Sequence, residues 1–230
     1  MCVFRLRSVS ALLLSLSLSS VFMFCAKKSG QDAAPPAAAV ASDNVLADAR
    51  DGKKYKTVKI GEQVWMAENL NYQADEDGSR CYNDSASYCD KYGRLYEWKT
   101  AKTVCPAGWK LPDTADWNKL VTAAGGEKTA GKKLKSKSGW KDEDGNDGNG
   151  TDEFGFSALP SGFMDNNPDS ENGAVFAFVG NDGFWWTATE NGNEVYDRVI
   201  HSDGDNVFGY SSETRDSGTS NGYSVRCLKE

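Results

Sequence analysis

The hydrophobic rhythm of the chain changes several times, and each change marks an element or a boundary. Met1–Phe24 carries Arg5 and Arg7 and then runs apolar, rich in Leu and Ser, which is the layout of a secretory signal peptide. The apolar run from Val9 to Phe24 is short for a membrane span of roughly 20 residues, so cleavage is expected rather than retention as an uncleaved anchor. An Ala/Pro tract follows to about Ala41, and residues 25–49 read as a flexible tether. From Lys54 the pattern alternates, with Tyr55, Val58 and Ile60 before Gly61-Glu62 and Gln63-Val64-Trp65-Met66 after it, which predicts a hairpin. A polar loop is expected over Gln73–Asp90. Leu95, Trp98, Ala101 and Lys102 predict a short amphipathic helix ended by Pro106 and Gly108.

The next helix is better marked. Asp113 stands as N-cap, Asp116 follows in capping-box position, and Gly125-Gly126 stops the run. Trp117, Leu120, Val121 and Ala124 recur at helical spacing and form one buried face. Lysines gather over 128–141, and acids and glycines over 142–153, so both stretches read as solvated loop. Beyond them, apolar runs at 154–159, 175–179, 184–187, 195–200 and 223–228 predict strands. The expected class is α+β: one domain over residues 50–230, with two main helices, an antiparallel sheet and long loops.

The formal net charge of −7 becomes more negative once the leader is lost, which disfavours a nucleic-acid partner. Of six cysteines, Cys2 lies in the leader and Cys25 closes the apolar run. The even number left in an exported domain, Cys81, Cys89, Cys105 and Cys227, reads as two disulfides. Three pairings are possible; Cys81–Cys89 with Cys105–Cys227 is preferred, because the first closes a local loop and the second closes the domain. A thiolate metal site is disfavoured by the absence of Cys-x-x-Cys spacing and by the single His201.

Two constellations bear on chemistry. Asp142, Asp144, Asn146 and Glu153 occupy the first, third, fifth and twelfth places of a calcium-loop template, and clustered oxygens suit a hard cation. Asp147 replaces the template's central Gly, which rejects an EF-hand and leaves calcium binding and an ordinary acidic loop as the two readings. Trp140, Trp185, Trp186, Tyr196 and Tyr210 lie near loops rich in Asn, Asp and Glu, among them Glu190. Aromatic faces with such partners suit sugar rings. By strand alternation one of Trp185 and Trp186 faces outward, into a ligand or under a covering loop. No catalytic residue is assigned: His201 is isolated, no nucleophile elbow or phosphate loop appears, and acid pairs are too numerous to single out a dyad.

Several motifs carry a resemblance. Asp51-Gly-Lys-Lys-Tyr-Lys-Thr-Val-Lys-Ile-Gly, Trp65-Met-Ala-Glu-Asn-Leu-Asn-Tyr, Tyr92-Gly-Arg-Leu-Tyr, Val104-Cys-Pro-Ala-Gly-Trp-Lys-Leu-Pro, Phe154-Gly-Phe-Ser-Ala-Leu-Pro, Trp185-Trp-Thr-Ala-Thr-Glu and Ser224-Val-Arg-Cys resemble the Fibrobacter succinogenes major paralogous domain (FISUMP). Leu95-Tyr-Glu-Trp, Lys110-Leu-Pro-Asp-Thr-Ala-Asp-Trp and Gly222-Tyr-Ser-Val-Arg are similar, more remotely, to formylglycine-generating enzymes. That resemblance implies a C-type-lectin-like domain whose twisted antiparallel sheet brings the termini together. The enzyme's copper-binding cysteine pair has no counterpart between Cys105 and Cys227. Sugar-binding C-type lectins are matched only in part, by Asn167-Pro168-Asp169, since Trp186-Thr187-Ala188 stands where their Trp-Asn-Asp would be. Cys25, followed by Ala-Lys-Lys-Ser-Gly, resembles the lipidated cysteine of a bacterial lipoprotein; the other reading keeps it in the hydrophobic region with the cut elsewhere. The resulting expectation is an exported bacterial protein, held at the outer membrane or cell surface by an N-terminal lipid. It would act as a non-catalytic binding or adhesion module for a polysaccharide or surface glycan, with an enzyme of the formylglycine-generating type, a hydrolase or a structural surface protein as alternatives.

Overall fold

The structure is a computed structural model, and residues 44–74, 78–165, 174–213 and 221–230 are described. They belong to a unit spanning Val40–Glu230. The leader, Cys25 with most of the tether, and Asn167 and Asp169 lie outside the described residues.

The chain enters through β1 (Val45–Ala47), β2 (Lys54–Ile60) and β3 (Gln63–Met66), so the predicted hairpin around Gly61-Glu62 is present. A short strand β4 (Ser79–Arg80) and helix α1 (Ala86–Tyr92) follow, the first within the stretch expected to be loop and the second starting in it and ending two residues beyond. Cys89 on α1 bonds Cys81. The amphipathic helix expected from Leu95 divides instead into β5 (Leu95–Glu97) and a single turn, α2 (Trp98–Ala101). Tertiary pairing overrides local pattern here, because Tyr96 and Glu97 sit opposite Tyr223 and Gly222.

After β6 (Trp109–Lys110), helix α3 (Thr114–Ala123) begins on the full capping box: Asp113 accepts from the Asp116 N–H at 2.7 Å, and Asp116 accepts from the Asp113 N–H at 3.3 Å. Its Trp117, Leu120, Val121 and the following Ala124 are buried as one face. A second correction falls on the lysine-rich stretch, which forms α4 (Glu127–Leu134). Ala130 and Leu134, one turn apart, go inward, while Lys128 and Lys132 stay exposed. The described residues thus hold four α-helices where two main ones were expected.

The C-terminal half contributes β7 (Ser161–Asp165), β8 (Val175–Val179), β9 (Asp182–Asn191), β10 (Glu194–His201), β11 (Phe208–Glu213), β12 (Asn221–Tyr223) and β13 (Leu228–Lys229). Residues 154–159, expected to be a strand, form a turn-rich segment with Ser157, and Asp152 just before it, at positive φ. One sheet runs β1-β2-β3-β13-β6; a larger one runs β11-β10-β9-β7-β12-β5-β4, with β8 on β7. All pairings between named strands are antiparallel except β7 with β9. β13 lies between β3 and β6, and the Cys105–Cys227 bond fixes that closure. The α+β class and both preferred disulfides therefore hold.

Two apolar cores flank β9. One contains Trp65, Trp117, Leu134, Trp140, Phe156, Trp185 and Ile200. The other contains Tyr55, Met66, Tyr96, Trp98, Trp186, Val195, Tyr223 and Cys227. Adjacent residues on a strand point to opposite faces, and both faces of β9 are covered at Trp185 and Trp186.

Candidate functional site

The expected aromatic binding residues are largely interior. Trp140, Trp185 and Trp186 are each 0% exposed, and each indole N–H is used internally: Trp185 on Asn69 Oδ1 (3.0 Å), Trp186 on the Tyr96 carbonyl (2.7 Å), Trp140 on Ser136 Oγ and the Ala158 carbonyl (both 3.0 Å). None presents a face to a ligand, because the two cores take them from both sides. Glu190 is exposed and pairs with Lys102 at 3.6 Å. Two carboxylates of the calcium template have partners within the domain. The Asp142 carboxylate accepts the Asn146 backbone N–H (2.7 Å) and side-chain amide (2.8 Å), and Glu153 pairs with Lys133 at 3.6 Å. Among the described residues no three His, Cys, Asp or Glu converge as a metal site.

Many motif residues meet instead in a buried polar hub. Asn69 donates to the Tyr92 carbonyl (2.8 Å) and to Ser224 Oγ (3.2 Å), and its Oδ1 accepts from Trp185 and from Arg226 Nε (2.8 Å). Arg226, wholly buried, also donates to the Phe156 carbonyl and to the Ser157 carbonyl (2.7 Å), with its guanidinium 4.4 Å from the Phe156 ring centroid. Burial pulls its pKa down to about 9, which leaves it charged at neutral pH. The hub ties β9, the 154–159 segment, the segment after β3, the end of α1 and the C-terminal segment into one unit.

The surface offers a cleft of about 580 Å³ between the acidic loop, the β8–β9 turn and the segment after β10. Asp142, Glu143 and Asp144 form one wall, Phe178 and Asn181 a second, and His201, Asp203 and Phe208 a third. Lys141 docks the acidic loop, its N–H donating to the Gly180 carbonyl (2.8 Å) and its carbonyl accepting from Asn181 Nδ2 (2.9 Å). Phe178 is 46% exposed and holds a positive φ of 63°, a conformation unfavourable for a bulky side chain. His201 Nδ1 lies 3.1 Å from Asp182 Oδ2, and that bond raises the imidazole pKa against the opposing effect of burial. Beneath the cleft, the buried Lys135 ammonium donates to the carbonyls of His201 (3.2 Å), Ser202 (3.2 Å) and Gly204 (2.9 Å), which fixes the loop that carries Asp203.

The family model described as Fibrobacter succinogenes major domain (Fib_succ_major) matches residues 58–229. The chain belongs to this family. No curated protein and no solved structure matches it.

Within this Fibrobacter succinogenes major domain, Tyr196 lines a second pocket, with Asn118 and Arg198, and its hydroxyl donates to Glu194 at 3.0 Å. Sequence reasoning missed Asp182, Phe178, Phe208 and Lys135. The His201–Asp182 pair carried no readable signal: counting outward from the Gly192-Asn193 turn sets His201 opposite Phe184, and only the register shift between Val195 and Asp197 brings it opposite Asp182. Lys135 carried none, since its lysine neighbours are exposed or half-buried.

Proposed function

We propose that the chain is a non-catalytic binding or adhesion module of the bacterial cell envelope, exported, anchored through a lipid on Cys25, and directed at carbohydrate. The acidic and aromatic cleft carries this reading: Phe178 and Phe208 offer apolar faces for a sugar ring, and Asp142, Asn181, Asp203 and Asn206 surround them with hydroxyl-binding groups. This replaces the interior tryptophans as ligand contacts. A C-type-lectin-like architecture is part of the proposal, supported by the way β13 and the Cys105–Cys227 bond draw the end of the domain onto its beginning. The test is retention of the full chain on cellulose and across a glycan array, with and without calcium. Phe178→Ala and Phe208→Ala should weaken retention while leaving the near-UV circular dichroism unchanged; no retention on any glycan defeats the proposal.

A hydrolase is the second reading, favoured by the His201–Asp182 pair in the same cleft, since a carboxylate on Nδ1 orients an imidazole for proton transfer. Turnover of a bound glycan that disappears in His201→Gln would establish it. Binding without turnover leaves the module reading in place.

A further inference from the structure

Three cations are at least nine-tenths buried among the described residues without an ion pair, and their surroundings separate them: Lys135, Arg198 and Arg226. A buried charge is costly unless its donors are satisfied. Every side-chain nitrogen of Lys135 and of Arg226 has an oxygen acceptor within the domain, which accounts for both as structural. Arg198 differs. Its Nη1 donates to the Asp197 carbonyl (2.9 Å) and its Nη2 to Asn118 Oδ1 (3.0 Å) and, weakly, to the Thr114 carbonyl (3.4 Å), whereas Nε has no partner among the described residues.

Arg198 also lines a pocket of about 370 Å³, near the lower end of the range of about 300–1,000 Å³ typical of small-ligand sites. Its neighbours explain why the pocket is open. A Cβ at Gly209 would stand 2.6 Å from Arg198 Nη1, so only glycine lets the guanidinium lie there. Val121, Val207 and Tyr196 provide apolar lining, and Asn118 holds one end of the guanidinium in place. Arg198 and His201 point to opposite faces of β10 by alternation, so this pocket is separate from the acidic cleft and does not rest on the carbohydrate reading of it.

We infer that this pocket binds a carboxylate-bearing ligand about one sugar ring in size, anchored through the free Nε edge of Arg198. The planar fork that matches a carboxylate is completed by Nη2, whose bond to the Thr114 carbonyl is the weak one at 3.4 Å and can be exchanged for the ligand. A doubly charged phosphate would face Glu127, which lines the same pocket, with a single cation to offset it. Burial holds the Arg198 pKa down, with Asp197 and Glu127 raising it only in part, so an incoming anion meets a poorly compensated charge.

The test is a titration of the isotopically labelled full chain with galacturonate, with galactose as the neutral ring of like size, read at the Arg198 Nε–H resonance by NMR. A saturable shift with galacturonate and none with galactose is expected. Asn118→Asp supplies an internal carboxylate where the amide oxygen now sits, and should weaken galacturonate about tenfold or more while the melting temperature holds or rises. Arg198→Lys keeps the charge but not the fork, and should weaken it as well. No shift with galacturonate, an equal shift with galactose, or unchanged affinity in a folded Asn118→Asp or Arg198→Lys protein overturns the inference.

Discussion

Asp197 should make the domain less stable as pH rises through neutrality, and Asp197→Asn should remove that loss. The carboxyl is 3% exposed on β10, on the face that carries Trp186, and accepts one hydrogen bond, from the Tyr210 N–H at 3.3 Å. Burial pushes its pKa from 3.8 to about 7, against the Tyr210 bond and the nearby Arg198, which lower it. The folded value lies above the unfolded one, so between roughly pH 4 and pH 7 the native state holds more protons than the unfolded state, and stability falls with rising pH. A displacement of this size corresponds to about 4 kcal/mol, at ~1.4 kcal/mol per pH unit. About 2.5 kcal/mol of it develops between about pH 5 and about pH 8, the interval in which most of the native carboxyl ionises. Asn keeps an acceptor for Tyr210 and removes the ionisation, so the variant isolates the charge. Urea denaturation at the two pH values should show the variant's advantage growing by about that amount. An advantage that is the same at both values would mean that the carboxylate is solvated or paired in the native protein, and the reasoning from burial would fail.

Four other variants test the scaffold and the cleft. Replacing Cys105 and Cys227 by Ala opens a loop of sequence separation 122 and should cost about 5 kcal/mol by chain entropy; replacing Cys81 and Cys89, at separation 8, should cost about 2.5 kcal/mol, so their urea midpoints should rank in that order. Asn69→Leu removes the acceptor of Trp185 and of Arg226 Nε, and at about 1–3 kcal/mol for each stranded group, more for the charged one, it should leave little stable protein by circular dichroism. His201 has a raised pKa through its bond to Asp182, so its contribution is fully present below the ordinary value near 6.5 and is lost as pH rises above it. His201→Gln should therefore flatten that part of the pH–stability curve, and an unchanged slope would place the titration elsewhere.

What could be read in the sequence was local or periodic. The β2–β3 hairpin, the α3 capping box and the buried face of α3 follow from spacing, since each depends on residues close in sequence, and the even cysteine count gave two disulfides with the observed pairing as the preferred one of three. What could not be read depended on distant partners. Leu95–Glu97 looks helical until Tyr96 meets Tyr223, and Lys135 looks solvated until the 201–204 loop supplies its acceptors. Alternation sets Trp185 and Trp186 on opposite faces, but whether the outward one meets a ligand or a covering layer is a property of the whole sheet, which here covers both.

The same distinction bears on where specificity resides. Trp65, Asn69, Phe156, Trp185, Ser224, Arg226 and Cys227, all within the motifs that resemble the family, are at most 4% exposed and are committed to core packing, the polar hub or the disulfide. Substituting any of them perturbs a scaffold before it perturbs a ligand. The groups that line the two pockets, including Asp142, Phe178, Asp203 and Phe208 in one and Asn118, Arg198 and Gly209 in the other, fall outside those motifs. Family membership therefore identifies the frame, and the chemistry of recognition has to be argued from residues that the family motifs leave free. Arg198 illustrates this: its burial is costly to the fold, its Nε is unused by the hub or by any ion pair, and an anion entering from solvent is what would offset that cost.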